Sequence, residues 1–222
     1  RDSLGYISLR ADMYGEALTH LKRAIDIDPE FAPAHSNLGM AHDIADDRAS
    51  AKKRYEHVLS KIDKENIRAR VMLALDLWID GSAPKAIREL ERALKDAPHD
   101  DLAWTFLGDI YYDNGKIDQA IRAYKDATEC NPRNFIAWYH MGIAWDDDKR
   151  RDEEADQCYR KAWECRAVPP AELALRIAII NDEDAHERLE EALKFYQSYR
   201  DLGGTEDWVP ERIAVLQEKL AR

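Results

Sequence analysis

The chain has 222 residues, of which 45% are hydrophobic and 35% are charged. This mixture argues against a disordered chain, and no apolar run approaches the ~20 residues that a membrane-spanning helix needs. Acidic residues outnumber basic ones by 44 to 33, for a net charge of −11, which disfavours a nucleic-acid partner because phosphate binding needs an excess of lysine and arginine.

Small and aromatic residues recur at a fixed interval along most of the chain. One column of small residues has separations of 34, 35, 34 and 34, and it contains Gly5, Gly39, Ala74, Gly108 and Gly142. Further columns in the same register are Ala17, Ala51, Ala86, Ala120 and Ala155, then Leu21, Tyr55, Leu90, Tyr124 and Tyr159. In residues 101–134 the apolar positions are spaced as on one face of a helix. The chain is therefore predicted to be an array of helical repeats.

The predicted repeats follow one another in chain order. The first, residues 1–31, should hold helices over about 2–12 and 14–27. The first few positions of the repeat pattern would lie before Arg1, which suggests a longer array upstream. The next four cover 32–65, 67–100, 101–134 and 135–170, with Asn66 as one extra residue. Prolines such as Pro98 and Pro132 should end the second helices, because proline cannot extend a helix.

The pattern weakens after residue 170. Residues 171–203 form a degenerate sixth repeat, and Gly203-Gly204 should break the chain before a last helix over 208–221. An apolar stripe on that helix would cover the exposed end of a stack, as repeat arrays need. The prediction is thirteen helices and no strand.

These slots resemble those of the tetratricopeptide repeat, a helix-turn-helix unit of about 34 residues. The resemblance covers residues 1 to about 170. It implies an all-α, right-handed solenoid of antiparallel helix pairs, here forming a single domain with a C-terminal capping helix.

A second apolar face on the first helices suggests a binding surface. At about 100° per residue, Val71, Leu75 and Trp78 lie roughly 150° from the helix-pairing face. First helices line the concave side in tetratricopeptide proteins, so the resemblance implies an aromatic groove with an acidic rim. An alternative is that some of these side chains pack against neighbouring repeats. The predicted groove residues are Arg68, Val71, Met72, Leu75, Trp78, Phe106, Asp109, Tyr112, Asp113, Tyr139, His140, Ile143, Asp146 and Asp147.

The sequence offers no constellation for catalysis. It has no glycine-rich phosphate loop, no nucleophile elbow and no metal-binding histidine motif, so no enzyme activity, cofactor or metal is predicted. His35 and His42 are assigned to helix packing. The cysteines Cys130, Cys158 and Cys165 form no CxxC pair and are interpreted as reduced, which suits the cytoplasm.

The predicted function is a protein-interaction module or scaffold. Its partner would be a peptide or helix of another protein, with apolar anchors and basic residues that complement the acidic rim. One alternative is a substrate-recognition or oligomerisation arm of a larger enzyme whose catalytic domain lies outside this chain. Another is a scaffold that associates with itself.

Overall fold

A computed structural model describes residues 2–147, 152–182 and 186–221, with side chains from Gly15 onward apart from those of residues 152, 186 and 187. Twelve α-helices and one π-helical segment lie in these ranges, and the ranges contain no strand. The helices are α1 (Asp2–Ile27), α2 (Ala32–Ile44), α3 (Arg48–His57), α4 (Ile67–Ile79), α5 (Ala83–Asp96), α6 (Asp101–Asp113), α7 (Ile117–Cys130), α8 (Phe135–Asp147), α9 (Asp152–Glu164), α10 (Ala171–Ile180), α11 (His186–Asp201) and α12 (Val209–Leu220).

Most consecutive helices pack on one another, which confirms the predicted all-α class of repeat solenoid. The chain divides into two compact units, residues 1–106 and 107–222, called here the N-terminal part and the C-terminal part. In the N-terminal part each of α1 to α4 packs on the next helix, and in the C-terminal part each of α7 to α11 does. Helix α12, which matches the predicted capping helix, packs on α11.

The first repeat differs from the prediction. Residues 2–27 form the single helix α1 instead of two helices, so the described ranges hold twelve α-helices rather than thirteen. Repeat 2 turns where Asp46 adopts a φ of 59° and Asp47 caps α3 by accepting a hydrogen bond from the Ser50 backbone N–H at 3.2 Å. The corresponding residue in repeat 1 is Met13, which has no side-chain acceptor for a cap. Repeat 4 also lacks a capping side chain, at Lys116, but it turns at Gly115 with a φ of 70°. Repeat 1 has neither a capping side chain nor a glycine in the turn, so the helix continues.

The extra residue of the array is also placed differently. Asn66 caps α4, with its Oδ1 accepting from the Ala69 N–H at 3.0 Å, just as Asp100 and Asn134 cap α6 and α8. Asn66 is therefore a regular element of the repeat. The additional residue is absorbed upstream by a π-helical segment, Val58–Ile62, which closes with the Asp63 N–H bonded to the Val58 carbonyl at 2.8 Å.

A hydrogen bond from each of the four first helices α2, α4, α6 and α8 ties it to the end of the preceding repeat. The Trp104 indole donates to the Pro98 carbonyl at 2.9 Å, and the Trp138 indole donates to the Pro132 carbonyl at 3.0 Å. In the same slot, the His35 ring bonds to the Pro29 carbonyl at 2.9 Å and the Arg70 guanidinium donates to the Lys64 carbonyl. Four different repeats thus use this slot to satisfy the carbonyl six residues earlier.

A second recurring interaction is a hydrogen bond from a buried tyrosine to an aspartate in or just after the preceding helix. Tyr55, Tyr124, Tyr159 and Tyr196 lie in the core, and their hydroxyls donate to Asp43, Asp109, Asp146 and Asp182 at 2.6, 2.8, 3.1 and 2.9 Å. Burial, and then the neighbouring carboxylate, raise the pKa of all four phenols, so each remains a donor. A buried phenol needs such a partner, because an unpaired hydroxyl in the core is costly.

Candidate functional site

In the N-terminal part, the second face of α4 carries most of the predicted surface. Met72, Leu75 and Trp78 are half-buried, and Arg68 is exposed, with its Nη1 3.4 Å from Asn37 Oδ1. Val71 is the exception, since only 2% of it is exposed and it lies in the core. Its inclusion in the predicted surface is wrong, because the face of α4 that contains it is partly covered by neighbouring helices, as the alternative of packing between repeats anticipated.

Three exposed apolar residues of α2 and α4 were missing from the predicted surface. Met40, Ile44 and Ile79 are 37, 78 and 46% exposed. Met40 holds the slot that Leu75 holds in the next repeat, while Ile44 and Ile79 hold the slot of Asp113 and Asp147. Reading each predicted groove slot through every repeat would have found all three.

In the C-terminal part, Asp109 is engaged within the protein. Its carboxylate accepts hydrogen bonds from the Tyr124 hydroxyl at 2.8 Å and from the His140 Nδ1 at 2.7 Å, and only 13% of its side chain is exposed. His140 is half-buried, with its ring centroid 6.0 Å from that of Tyr124 in an edge-on arrangement. Asp109 and His140 thus lock the first helices α6 and α8 together.

Asp146 has a similar internal role. It accepts from the Tyr159 hydroxyl at 3.1 Å and pairs with the Arg176 guanidinium at 3.2 Å. Arg176 also reaches the carboxylate of Glu172 at 3.3 Å, on its own helix α10. Arg176 therefore neutralises part of the negative charge of Asp146, which the sequence analysis assigned to the acidic rim.

The exposed acidic edge consists of Asp113 and Asp147. Asp147 accepts a hydrogen bond from the hydroxyl of the half-buried Tyr112, which connects α6 to α8. That hydrogen bond, followed by burial, raises the pKa of Tyr112 to about 12. Tyr112 therefore presents a protonated phenol beside a carboxylate.

The remaining predicted residues are partly covered. Tyr139 is half-buried, and its ring stacks on Phe135 with centroids 5.7 Å apart and planes 9° from parallel. Ile143 is half-buried, and Phe106, which belongs to the N-terminal part, is half-buried as well. Each of these three side chains is thus only partly accessible to a partner.

The polar groups of the predicted surface are mainly carboxylates and phenols. The described residues contain no group of three or more His, Cys, Asp or Glu side chains arranged to hold a metal ion. Within the three described ranges, no helix combines the length and apolar character needed to cross a membrane.

Comparison with known proteins gives a partial match to one repeat family and a consistent fold. A family model described as TPR repeat, the tetratricopeptide repeat, matches residues 13–42 and 108–145. No curated protein matches the sequence.

Several solved structures are similar to the chain. PilF of Pseudomonas aeruginosa has a TM-score of 0.75 at 19% identity, covering 98% of this chain and 95% of that one. A structure of MamA has a TM-score of 0.59 at 25% identity, covering 83% and 98%. YrrB, described as a TPR protein with an unusual peptide-binding site, has a TM-score of 0.61 at 16% identity, covering 86% and 96%.

Proposed function

We propose that this chain, whose residues 13–42 and 108–145 match a tetratricopeptide repeat model, is a member of that family and binds a segment of another protein on the second face of its first helices. The observation that carries the proposal is the exposure of Met40, Ile44 and Ile79 on two successive first helices of the N-terminal part. Apolar residues concentrated on one face of a folded protein usually mark an interface. The peptide-binding site named for YrrB supports the same use of this fold.

The charge of the surface indicates the chemistry of the partner. In the C-terminal part, the first helices carry Asp113 and Asp147 at the slots where the N-terminal part carries exposed isoleucines. A segment complementary to the C-terminal part therefore combines lysine or arginine with apolar anchors for the half-buried Tyr112 and Tyr139, either as an extended peptide or as a helix. Electrostatic complementarity of this kind favours rapid association and selects against acidic partners.

The expected location is the cytoplasm. Cys158 and Cys165 form no disulfide among the described residues, which fits a reducing compartment.

Selection from a displayed peptide library tests the proposal, followed by measurement of Kd for synthetic copies of the enriched peptides. We expect enrichment of peptides with both basic and large apolar residues. Asp113→Lys should raise their Kd at least about tenfold, because it reverses a charge on the proposed surface.

Glu129→Lys is the matched control, since it makes the same charge change at an exposed residue of the second helix α7. It should change Kd by less than about twofold, because it alters only the net charge of the protein and not the proposed surface. Enrichment without basic residues, or equal effects of the two substitutions, would refute the proposed surface. Light scattering of the chain alone would reveal the self-associating alternative.

A further inference from the structure

Two carboxyl groups meet in the interior of the N-terminal part. Asp43 lies near the end of α2 and Asp76 near the end of α4, two first helices that pack directly on each other. Only 4% of Asp76 is exposed. One oxygen of each group, Asp43 Oδ1 and Asp76 Oδ2, is buried and has no hydrogen-bond donor among the described residues. A buried carboxylate oxygen without a donor is costly, so this pairing requires an explanation.

The surrounding groups do not compensate two negative charges. From α3, Tyr55 donates its hydroxyl to Asp43 Oδ2 at 2.6 Å. Lys52, also on α3, binds at 3.0 Å to Asp80, an acidic residue that adds its own repulsion to Asp76. Helix α5 also packs on α4, and its buried residues Ala86, Leu90, Ala93 and Leu94 are apolar. The only cation acting on Asp76 from these groups is thus already paired at the surface.

We propose that Asp43 and Asp76 share one proton in mildly acidic solution, with the Asp76 carboxyl donating to Asp43. One proton satisfies both buried oxygens at once and removes the repulsion between two adjacent carboxylates. The shared proton joins α2 to α4, the helices that carry Met40, Ile44 and Ile79. The exposed apolar surface of the N-terminal part is therefore held more firmly in mild acid than in base.

The expected titration follows from the surroundings of Asp76. Burial, followed by the charge of Asp43, raises its pKa from 3.8 to about 7. Because the folded state binds this proton more tightly than the unfolded state, the stabilisation is complete below about pH 4 and is lost as the pH rises through about 7. Carboxylates that share a site behave in this way when they cannot both ionise.

An NMR titration of the Asp76 side-chain carboxyl carbon tests the inference directly. In the wild-type chain its midpoint should lie near pH 7. In Asp43→Asn the midpoint should fall by at least about one pH unit while staying above the ordinary value, because burial still disfavours the charged form. Asp96→Asn, at an exposed residue of α5, should leave it unchanged. A wild-type midpoint below about 5, or no response to Asp43→Asn, would overturn the shared proton.

A second measurement links the proton to stability. Asp76→Asn replaces the acid with an amide whose N–H can donate to Asp43 at any pH. The urea midpoint of the wild-type chain should fall relative to that of the variant as the pH rises from about 5 to about 8. A constant difference over that range would contradict the proposal. If the Asp76→Asn variant does not fold, the NMR titration of the wild-type chain still tests whether the proton is shared.

Discussion

Gly108 lies directly against the ring of Tyr124, so closely that a β-carbon on Gly108 would be 2.5 Å from Tyr124 Cδ1. The same relationship joins Gly39 to Tyr55 and Gly142 to Tyr159. Repeat 3 has Ala74 in the glycine slot, and there the tyrosine slot holds the smaller Leu90. The size of one residue is therefore matched to that of the other, because real β-carbons do not approach a neighbour this closely.

Gly108→Ala should destabilise the protein by about 1–3 kcal/mol, because overlap with a buried ring outweighs the better helix propensity of alanine. Combining it with Tyr124→Leu reproduces the Ala74 and Leu90 pair of repeat 3. The double variant should lose at least about 1 kcal/mol less than the sum of the single variants in urea unfolding. Gly15→Ala is the control, since a β-carbon on Gly15 would meet no described atom within 4 Å beyond its own stretch of helix, and the variant should gain up to about 1 kcal/mol of stability. Additive effects would disprove the matched pair.

Tyr112→Ala should weaken binding of a selected basic peptide at least tenfold, since truncating an aromatic anchor commonly costs about 2 kcal/mol or more. The ring also packs partly on the cluster around Tyr124, so a loss of about 1 kcal/mol of stability should accompany it. Titration calorimetry and urea unfolding separate the two effects.

Tyr111→Ala is the neighbouring control. Tyr111 is half-buried in the same cluster, with the Lys116 ammonium 5.7 Å from its ring centroid. Its loss should cost about 1–2 kcal/mol of stability with little change in Kd. If both variants bound the peptide equally well, Tyr112 would not belong to the binding surface.

Arg212→Met should weaken the attachment of the capping helix α12 to the helices before it. Arg212 of α12 donates its Nε–H to Asp182 Oδ2 at 2.6 Å, beside the Tyr196 hydroxyl, and only 11% of the Asp182 side chain is exposed. We expect a loss of about 1–3 kcal/mol at pH 7, measured by urea unfolding, because a largely buried carboxylate loses its cation.

This loss should depend on pH. Burial alone would raise the pKa of Asp182, but hydrogen bonds from Arg212 and Tyr196 outweigh it and hold the pKa below its ordinary value. The stabilisation is therefore present above about pH 4 and disappears as the pH falls through the lowered pKa. The wild-type and Arg212→Met chains should converge in stability at low pH. A gap that widens in acid would show that the pair does not act through ionised Asp182.

Cys158 should resist thiol reagents in the folded protein. Burial, followed by the charge of Glu154, raises its pKa to about 12, whereas the half-buried Cys165 has a less perturbed thiol. Thiolates rather than thiols react, so mass spectrometry after brief alkylation at pH 8 should find Cys165 modified well before Cys158. Unfolding in urea should remove the difference. Equal rates in the folded chain would mean that α9 opens readily around Cys158.

The sequence by itself determined the repeating helical architecture. Columns such as Gly108 with Tyr124 keep one register, and a column of small residues that recurs every helical pair is diagnostic because two helices can approach closely only there. Glycine also lies at the turns between paired helices, where Gly81 and Gly115 adopt φ values of 77° and 70° that favour this residue. The prediction failed in repeat 1, where the helix continues through Met13 and no turn forms, so that α1 is a single helix.

Only the tertiary structure decided which acidic residues face outward. Asp109 and Asp146 bond to buried tyrosines, whereas Asp113 and Asp147 remain exposed. The separations between each aspartate and its tyrosine are 12, 15, 13 and 14 residues, so no single spacing in the sequence identifies these pairs. Helical periodicity places a residue on a face, but the direction of a short side chain depends on which donor the neighbouring helix brings within about 3 Å.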